Sequence, residues 1–470
     1  MFKISSALYS VYNASPSVAR GVVASIYSYW SGRKKYGGQY AYWWKLLNQS
    51  QWWVGWKLRD FQIKRLQEIV RFADEHCPFY HEAMREAGVR PSDVDSLEAM
   101  KRLPIINKQV VRDHYDGVKT SLAADKHLVF YTSGTTGASL HVPVTEEALQ
   151  REYAFRWQYQ SVAGAKLGDR FAFFTGHSIV PVQRAQPPFF VRNYTENSIM
   201  FSLYHMSDAT MKSYVEAFNG FRPQYVYGYP SGIYVLADFI QRNGLTVLPP
   251  KAVFTASEKL HRYQREVIEK VFQAPVYEWY GQVELTVNLH ECDHHRLHVK
   301  EEYGFLELLK DDGTDAGPGE MGTVVATGWG NKAFPLIRYN TGDNMILAKQ
   351  QQCRCGRGGR IIEEIVGRDD DFILTPEGRY VGRLDFVLKP IDTVKEGQIV
   401  QESIDSVVVR VVPLPQYSVN DEQRIIQELR ARIGDTIGIR VETIAQVPRT
   451  KSGKIRYVIS HVTSGYSKGR

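Results

Sequence analysis

Between about residue 120 and residue 330, short β-rich runs alternate with helical ones, and this alternation restricts the fold more than any other feature of the chain. "HLVFY", "RFAFFTG", "YVYGYP" and "KAVFTAS" carry the aromatic and β-branched content of strands. "GIYVLADFIQRNG" and "EKLHRYQREVIEKVF" carry the spacing of helices. Strand and helix in turn predict parallel α/β units with helices on both faces of a sheet. "GTVVATGW" begins a more all-β stretch, and beyond "VGRDDDF" the pattern restarts. There "SVVVRVVPL" reads as a strand, "DEQRIIQELRARIG" as a helix and "GIRVETIAQVP" as a strand. The fold class is therefore α/β, with parallel and mixed sheets in a large N-terminal domain, 1–370, and a small α+β C-terminal domain, 371–470. A length of 470 residues, more than one core normally serves, fits that division.

Val18, Val22, Ile26 and Trp30 recur every four residues, and "GRKKYGG" follows. That is a helix with an apolar stripe, a basic end and a glycine stop. Leu58, Phe61, Leu66, Ile69, Val70 and Ala73 form a second helical stripe that ends before "HCPFY". Six of the nine tryptophans fall between Trp30 and Trp56. Such residues suit a surface with one wet side, which permits peripheral membrane contact; the reading we favour is that the segment packs on its own domain.

A net charge of +7 is modest for this length and fits an anionic ligand or a membrane surface. Without a dense basic face, nucleic acid is not an expected partner. Four cysteines are too few for a disulfide framework, and no run of 18 apolar residues is present. The first twenty residues lack the continuous apolar core of a signal peptide, so the expected compartment is the cytoplasm, with membrane association as the alternative.

In "YTSGTTGASLHVPVT", six consecutive residues, Thr132, Ser133, Gly134, Thr135, Thr136 and Gly137, are hydroxyl-bearing or glycine. Glycines let consecutive N–H groups converge on an anion, and the hydroxyls add donors. No GK[ST] follows, so this is not a Walker loop, and by itself the stretch reads equally well as a turn.

Downstream stand "YGQVE" (Tyr280 to Glu284), "RYNTGD" (Arg338 to Asp343), "GRDDD" (Gly367 to Asp371) and "PRTKSGK" (Pro448 to Lys454). Taken in this order, the set resembles the adenylate-forming superfamily of acyl-CoA synthetases, adenylation domains and luciferases. "SLYHMS", "YVYGYPSGIY" and "FTASEKL" make it most similar to phenylacetate–CoA ligase relatives of the CapK type, found with capsule and O-antigen genes. The resemblance implies a ligase that uses ATP and Mg²⁺ to form an acyl-adenylate from a carboxylic acid, releasing pyrophosphate. The acyl group would then pass to coenzyme A, or alternatively to an amine or a sugar of a polysaccharide precursor. A non-catalytic nucleotide-binding relative is a further alternative.

By the same resemblance, the loop Thr132–Gly137 would hold the β- and γ-phosphates, and Tyr280 beside Gly281 would lie against adenine. Glu284 would hold Mg²⁺, Asp343 and Arg368 would reach the ribose, and Asp370 would be a hinge. Lys454 would bridge the α-phosphate and the substrate carboxylate. Ser257 would be among the cofactor-binding residues, and His177, Tyr229 and Ser257 would line the pocket for the acid. The chain departs from the family twice: "ASLHVPV" has no lysine after the loop, and Val283 replaces the usual hydroxyl residue before Glu284.

The cysteines point elsewhere. "HECDHHRLH" holds Cys292 and His298, and "CRCG" holds Cys353 and Cys355. Two short clusters of N and S ligands can meet in a four-coordinate, structural Zn²⁺ site. His294 or His295 could replace His298, and reduced thiols beside surface histidines are the alternative.

Overall fold

Runs too apolar to leave either face in water become the middle of one sheet. The computed structural model describes residues 15–123, 128–132, 140–176, 179–181, 184, 186–206, 208–368, 373–376, 380–381, 384–388, 391, 393–449 and 456–462. In chain order the first strands are β1 (Leu128–Tyr131), β2 (His141–Val144), β3 (Phe171–Thr175), β4 (Phe190–Asn193), β5 (Ser198–Ser202), β6 (Tyr225–Gly228) and β7 (Ala252–Ala256). There follow β8 (Val276–Gly281), β9 (Asn288–Glu291), β10 (Leu297–Val299), β11 (Gly304–Leu309), β12 (Met321–Gly328), β13 (Leu336–Leu347) and β14 (Ile361–Arg368). Twelve of these make one sheet, in the order β11-β12-β13-β14-β10-β9-β8-β7-β6-β3-β5-β4.

The expected parallel units are its middle: β5, β3, β6, β7 and β8 run parallel, neighbour to neighbour. Ala172, Phe174, Val226, Val253, Phe254 and Val276 are fully buried there, as strands covered on both faces require. The helices Met211–Phe221, Pro230–Arg242 and Arg262–Phe272 connect these strands. They send Tyr214, Phe218, Ile233, Leu236, Ile268 and Phe272 into one core with Phe174 and Phe201. Gly228 is needed where β6 meets β3, because a Cβ there would lie 2.2 Å from the carbonyl oxygen of Phe174. The all-β stretch begins as the antiparallel pair β11–β12.

One strand joins differently from the expectation. "HLVFY" belongs not to the parallel sheet but to a two-stranded antiparallel hairpin, in which β1 pairs β2 from Leu128↔Val144 to Tyr131↔His141. The reason is local: only nine residues, 132–140, separate the two strands, and a connection that short can join only antiparallel strands.

Both N-terminal stripes are helical, over Ser17–Lys35 and Gly55–His76. Leu66, Ile69, Val70 and Ala73 of the second are buried. The first behaves oppositely: its buried residues are Arg20, Gly21 and Ser28, and its apolar stripe faces water. The tryptophans divide likewise. Trp43 is buried, and Trp44 packs against the same core, whereas Trp30, Trp52 and Trp56 are exposed. Packing of the whole segment on its own domain therefore holds only in part.

The chain separates into two units, Met1–Thr341 with Ile346–Glu364, and Gly342–Met345 with Ile365–Arg470. Two short strands, β15 (Ile373–Leu374) and β16 (Tyr380–Val381), pair with each other in the second unit. Beside them, β17 (Val394–Ser403), β18 (Ser406–Pro413), β19 (Gly438–Thr443) and β20 (Val458–Ser460) form a sheet in the order β19-β18-β17-β20. The helix Val419–Ile433 opens with a Ser418/Asp421 capping box and buries Ile425, Leu429 and Ile433 against Val407, Val409 and Val411.

Candidate nucleotide site and candidate metal centre

The parallel strands set the first site. Partners Gly228↔Thr255 and Ala256↔Trp279 bring the carboxyl ends of β6, β7 and β8 to one level. Tyr229, Ser257 and Tyr280 therefore stand side by side along that edge, where open α/β sheets take their ligands. Ser257 is exposed and left-handed at φ 71°, a conformation a non-glycine residue adopts at a cost and often at functional positions. Tyr229 caps the helix Pro230–Arg242, and the backbone N–H of Ser231 in its first turn donates to Glu258 at 3.2 Å. A carboxylate suits the positive end of that helix.

Tyr280 and Gly281 end β8. The Tyr280 hydroxyl accepts from Gln282 Nε2 at 2.7 Å, and Gln282 Oε1 accepts from the Thr286 hydroxyl at 2.8 Å. Gln282 thus fixes the tyrosine ring from the next turn. Glu284 is half-buried and accepts from the Tyr339 hydroxyl at 3.4 Å. Gln282, Thr286 and Tyr339, which the sequence reading left out, hold Tyr280 and Glu284 through these hydrogen bonds. The signal was present, since Gln282 and Tyr339 lie inside the two motifs "YGQVE" and "RYNTGD". Glu278, lower on the same strand, has its carboxyl raised to about 7 by burial and then by the neighbouring Glu291 charge.

Thr132 closes the stem of the predicted phosphate loop. Its N–H donates to the Leu140 carbonyl at 3.1 Å, and its hydroxyl accepts from Leu140 N–H at 2.9 Å. Ser133, Gly134, Thr135, Thr136, Gly137, His177, Asp370 and Lys454 lie outside the described residues. Arg368 closes β14, with only its backbone described. Asp343 is a buried residue of β13, following Gly342 at φ 73°. Arg338, first residue of "RYNTGD", is a strut. Its guanidinium meets Glu307 at 2.8 and 3.1 Å and donates to the carbonyls of Lys101 and Leu103, with both charged partners buried.

The cysteine and histidine clusters come together. The ligand atoms of Cys292, His298, Cys353 and Cys355 all lie within 4.8 Å of one another. Cys292 follows β9 and His298 lies on β10, which pairs with β9. Pairing of β10 with β14 brings up the loop that carries Cys353 and Cys355. The Sγ atoms of Cys292 and Cys353 are 3.7 Å apart, and Cys355 Sγ is 3.4 Å from His298 Nε2. Around a tetrahedral zinc ion those two edges would be about 3.8 and 3.5 Å, given metal–ligand lengths of about 2.3 and 2.0 Å.

The surroundings fit the same ion. His298 Nδ1–H donates to the Gly358 carbonyl at 3.1 Å, leaving the Nε2 lone pair toward the sulfurs. Burial holds its imidazole down at about 4. The N–H groups of His294 and Arg357 each point at a cysteine sulfur two residues earlier, both at 3.4 Å. His295, the alternative ligand, is held elsewhere: its Nδ1 meets Glu291 at 2.9 Å and its ring stacks on Tyr277.

Comparison with known proteins agrees with this architecture. Residues 373–461 match the family model of the CapK C-terminal domain. Over 457 residues the chain is 25% identical to Protein CapK of Staphylococcus aureus, covering 96% of this chain and 99% of that one. Over 435 residues it is 26% identical to a phenylacetate-coenzyme A ligase of Thermus thermophilus, covering 86% and 96%. Among solved structures, a 2-hydroxyisobutyryl-CoA ligase in the postadenylation state superposes with a TM-score of 0.69 at 19% identity, over 88% of this chain and 91% of that one.

Proposed function

We propose that this chain, a CapK-type relative of the phenylacetate–coenzyme A ligases with the adenylate-forming fold, is an ATP-dependent ligase that activates a carboxylic acid as its acyl-adenylate and transfers the acyl group to coenzyme A. The observation that carries the reading is the shared edge of Tyr229, Ser257 and Tyr280, with Glu284 one turn beyond and Thr132 clasping the loop stem. In the first half-reaction a carboxylate oxygen attacks the α-phosphorus, and the bond to pyrophosphate breaks. In the second, the coenzyme A thiol loses its proton, its sulfur attacks the acyl carbon and AMP leaves.

The roles are those the family resemblance implies, and the residue types suit them. The loop Thr132–Gly137 offers N–H and hydroxyl donors to the β- and γ-phosphates. Tyr280 presents a π face to the base while Gln282 holds its hydroxyl. By that resemblance Asp343 would accept from the two ribose hydroxyls, and Arg368 would also reach the ribose. By the same resemblance Lys454 would bridge the α-phosphate and the carboxylate, a task that suits a point charge. The half-buried carboxylate of Glu284 suits a hard cation, and Mg²⁺ bound there would supply charge neutralisation to the phosphates. Val283 brings no hydroxyl to the α-phosphate, which leaves the backbone or another donor to contact it.

We further propose that the chain divides at Asp370, and that the smaller part moves between the half-reactions so that Lys454 attends only the first. Similarity to the CapK protein over 96% of this chain favours a role in capsule or O-antigen synthesis, where an amine or sugar is the alternative acceptor. The cluster Cys292, His298, Cys353, Cys355 is closed by four protein ligands, so the zinc we assign to it would be structural.

Pyrophosphate release from ATP and Mg²⁺, across aryl, fatty, amino and sugar acids, tests the reading. Release that needs one acid and falls about a hundredfold or more in Lys454→Ala is expected. Release indifferent to Lys454 would refute the assignment. Thioester formation on adding coenzyme A identifies the acceptor.

A further inference from the structure

The helix Ser17–Lys35 is built the wrong way round for a protein interior. At 3.6 residues per turn, Val18, Val22, Ile26, Trp30, Val23 and Tyr27 share one half of its circumference. All are exposed, Val18 to 68% and Trp30 to 60%. The other half holds Arg20, Gly21, Ser25 and Ser28, turned toward the sheet.

That orientation is held by polar contacts. Tyr194 N–H donates to the Ser25 hydroxyl at 2.8 Å, the Thr195 hydroxyl to the Ser25 carbonyl at 2.8 Å, and Asn193 Nδ2 to the Ser28 hydroxyl at 2.6 Å. Lys35 pairs with Glu196 at 2.8 Å. Gly21 comes so close to β4 that a Cβ would lie 3.0 Å from the Arg192 carbonyl. Rotating the apolar half inward would break all of these, so its exposure is a built feature.

Charge says what covers the face. The first acidic residue of the chain is Asp60; before it stand eight lysines and arginines. The rest of the chain, with 50 basic and 51 acidic residues, is nearly neutral, so the net charge of +7 resides in this N-terminal stretch. The helix itself has no acidic residue, and its last turn carries Arg33 and Lys34 besides Lys35, which is taken up by Glu196. Arg33 lies 5.3 Å from the Trp30 and Tyr29 ring centres.

We propose that this face docks on the surface of an anionic phospholipid bilayer. Valines and isoleucine enter the acyl boundary, Trp30, Tyr27 and Tyr29 sit at headgroup depth, and the basic end meets lipid phosphate. Among the described residues no helix is long and apolar enough to cross a membrane. Isoleucine, valine and aromatic side chains on one half, with a basic end and no acid, fit such a layer better than a neutral protein partner. Membrane contact would place the enzyme beside acyl acceptors carried on lipid.

Flotation of the full chain with vesicles tests this. Vesicles of phosphatidylcholine mixed with phosphatidylglycerol should carry the protein upward, and phosphatidylcholine alone should do so weakly. Ile26→Ser and Trp30→Ser should each lower the partition about tenfold, and Arg33→Glu about fivefold or more. Circular dichroism and pyrophosphate release should stay unchanged in all three. Failure of the parent to float, or equal flotation by the Ile26→Ser/Trp30→Ser variant, would overturn the proposal. So would sedimentation showing that the parent is a dimer and this variant a monomer, since the face would then belong to a second copy.

Discussion

Replacing Glu278 by glutamine tests whether the strand under the nucleotide site carries a buried, pH-sensitive charge. Glu278 lies on β8 two residues before Tyr280, and it accepts from Leu260 N–H at 3.3 Å. Burial, and then the Glu291 carboxylate, raise its carboxyl from 4.5 to about 7. An acid whose folded pKa is raised binds more protons in the native state between those two values, so stability falls as pH rises through the window. The shift corresponds to about 3 kcal/mol. Partial exposure of the side chain reduces that to about 2 kcal/mol. Glutamine has nearly the same shape, keeps an acceptor for Leu260 and cannot ionise. The Glu278→Gln variant should therefore match the parent near pH 4.5 and exceed it by about 2 kcal/mol above pH 7, by urea unfolding at each pH. A difference independent of pH, or a parent that gains stability from pH 4.5 to 7 relative to the variant, would refute the reasoning. Because Glu278 lies below the ligand edge, pyrophosphate release should persist.

Two further outcomes follow from the same structure. Purified protein should hold about one zinc per chain, measured by atomic emission, and Cys355→Ser should lose most of it with a melting temperature several degrees lower. Equal metal content in the two would exclude these ligands. Arg338→Met should cost about 3–5 kcal/mol by leaving Glu307 charged and buried. Adding Glu307→Leu should recover about half of that, because the carbonyls of Lys101 and Leu103 still lose their donor. A double variant no more stable than the single one would show that the ion pair is not what holds this strand.

Much of the architecture was legible because local pattern and tertiary role agree. The restart after "VGRDDDF" became the four-stranded sheet and helix of the second unit, since the "SVVVRVVPL" and "DEQRIIQELRARIG" runs each bury the face their periodicity marks. Motif order carried the likeness to adenylate-forming ligases, and clustering of Cys and His, together with that family likeness, marked the four metal-ligand candidates. Arg338 was not legible as a strut: an arginine inside a ligand-binding motif looks the same in sequence whether it meets a phosphate or Glu307.

By itself, then, the sequence determined which segments are strands and helices and which residue types any site can draw on, because both depend on near neighbours along the chain. Only the tertiary structure decided two other matters. It brought Cys292 and Cys353 to 3.7 Å through strand pairings made across sixty-one positions of chain. It turned the stripe of Val18, Ile26 and Trp30 toward water, because Ser25, Ser28 and Gly21 find hydrogen-bonding partners and close backbone on the sheet side that an apolar face would leave unsatisfied.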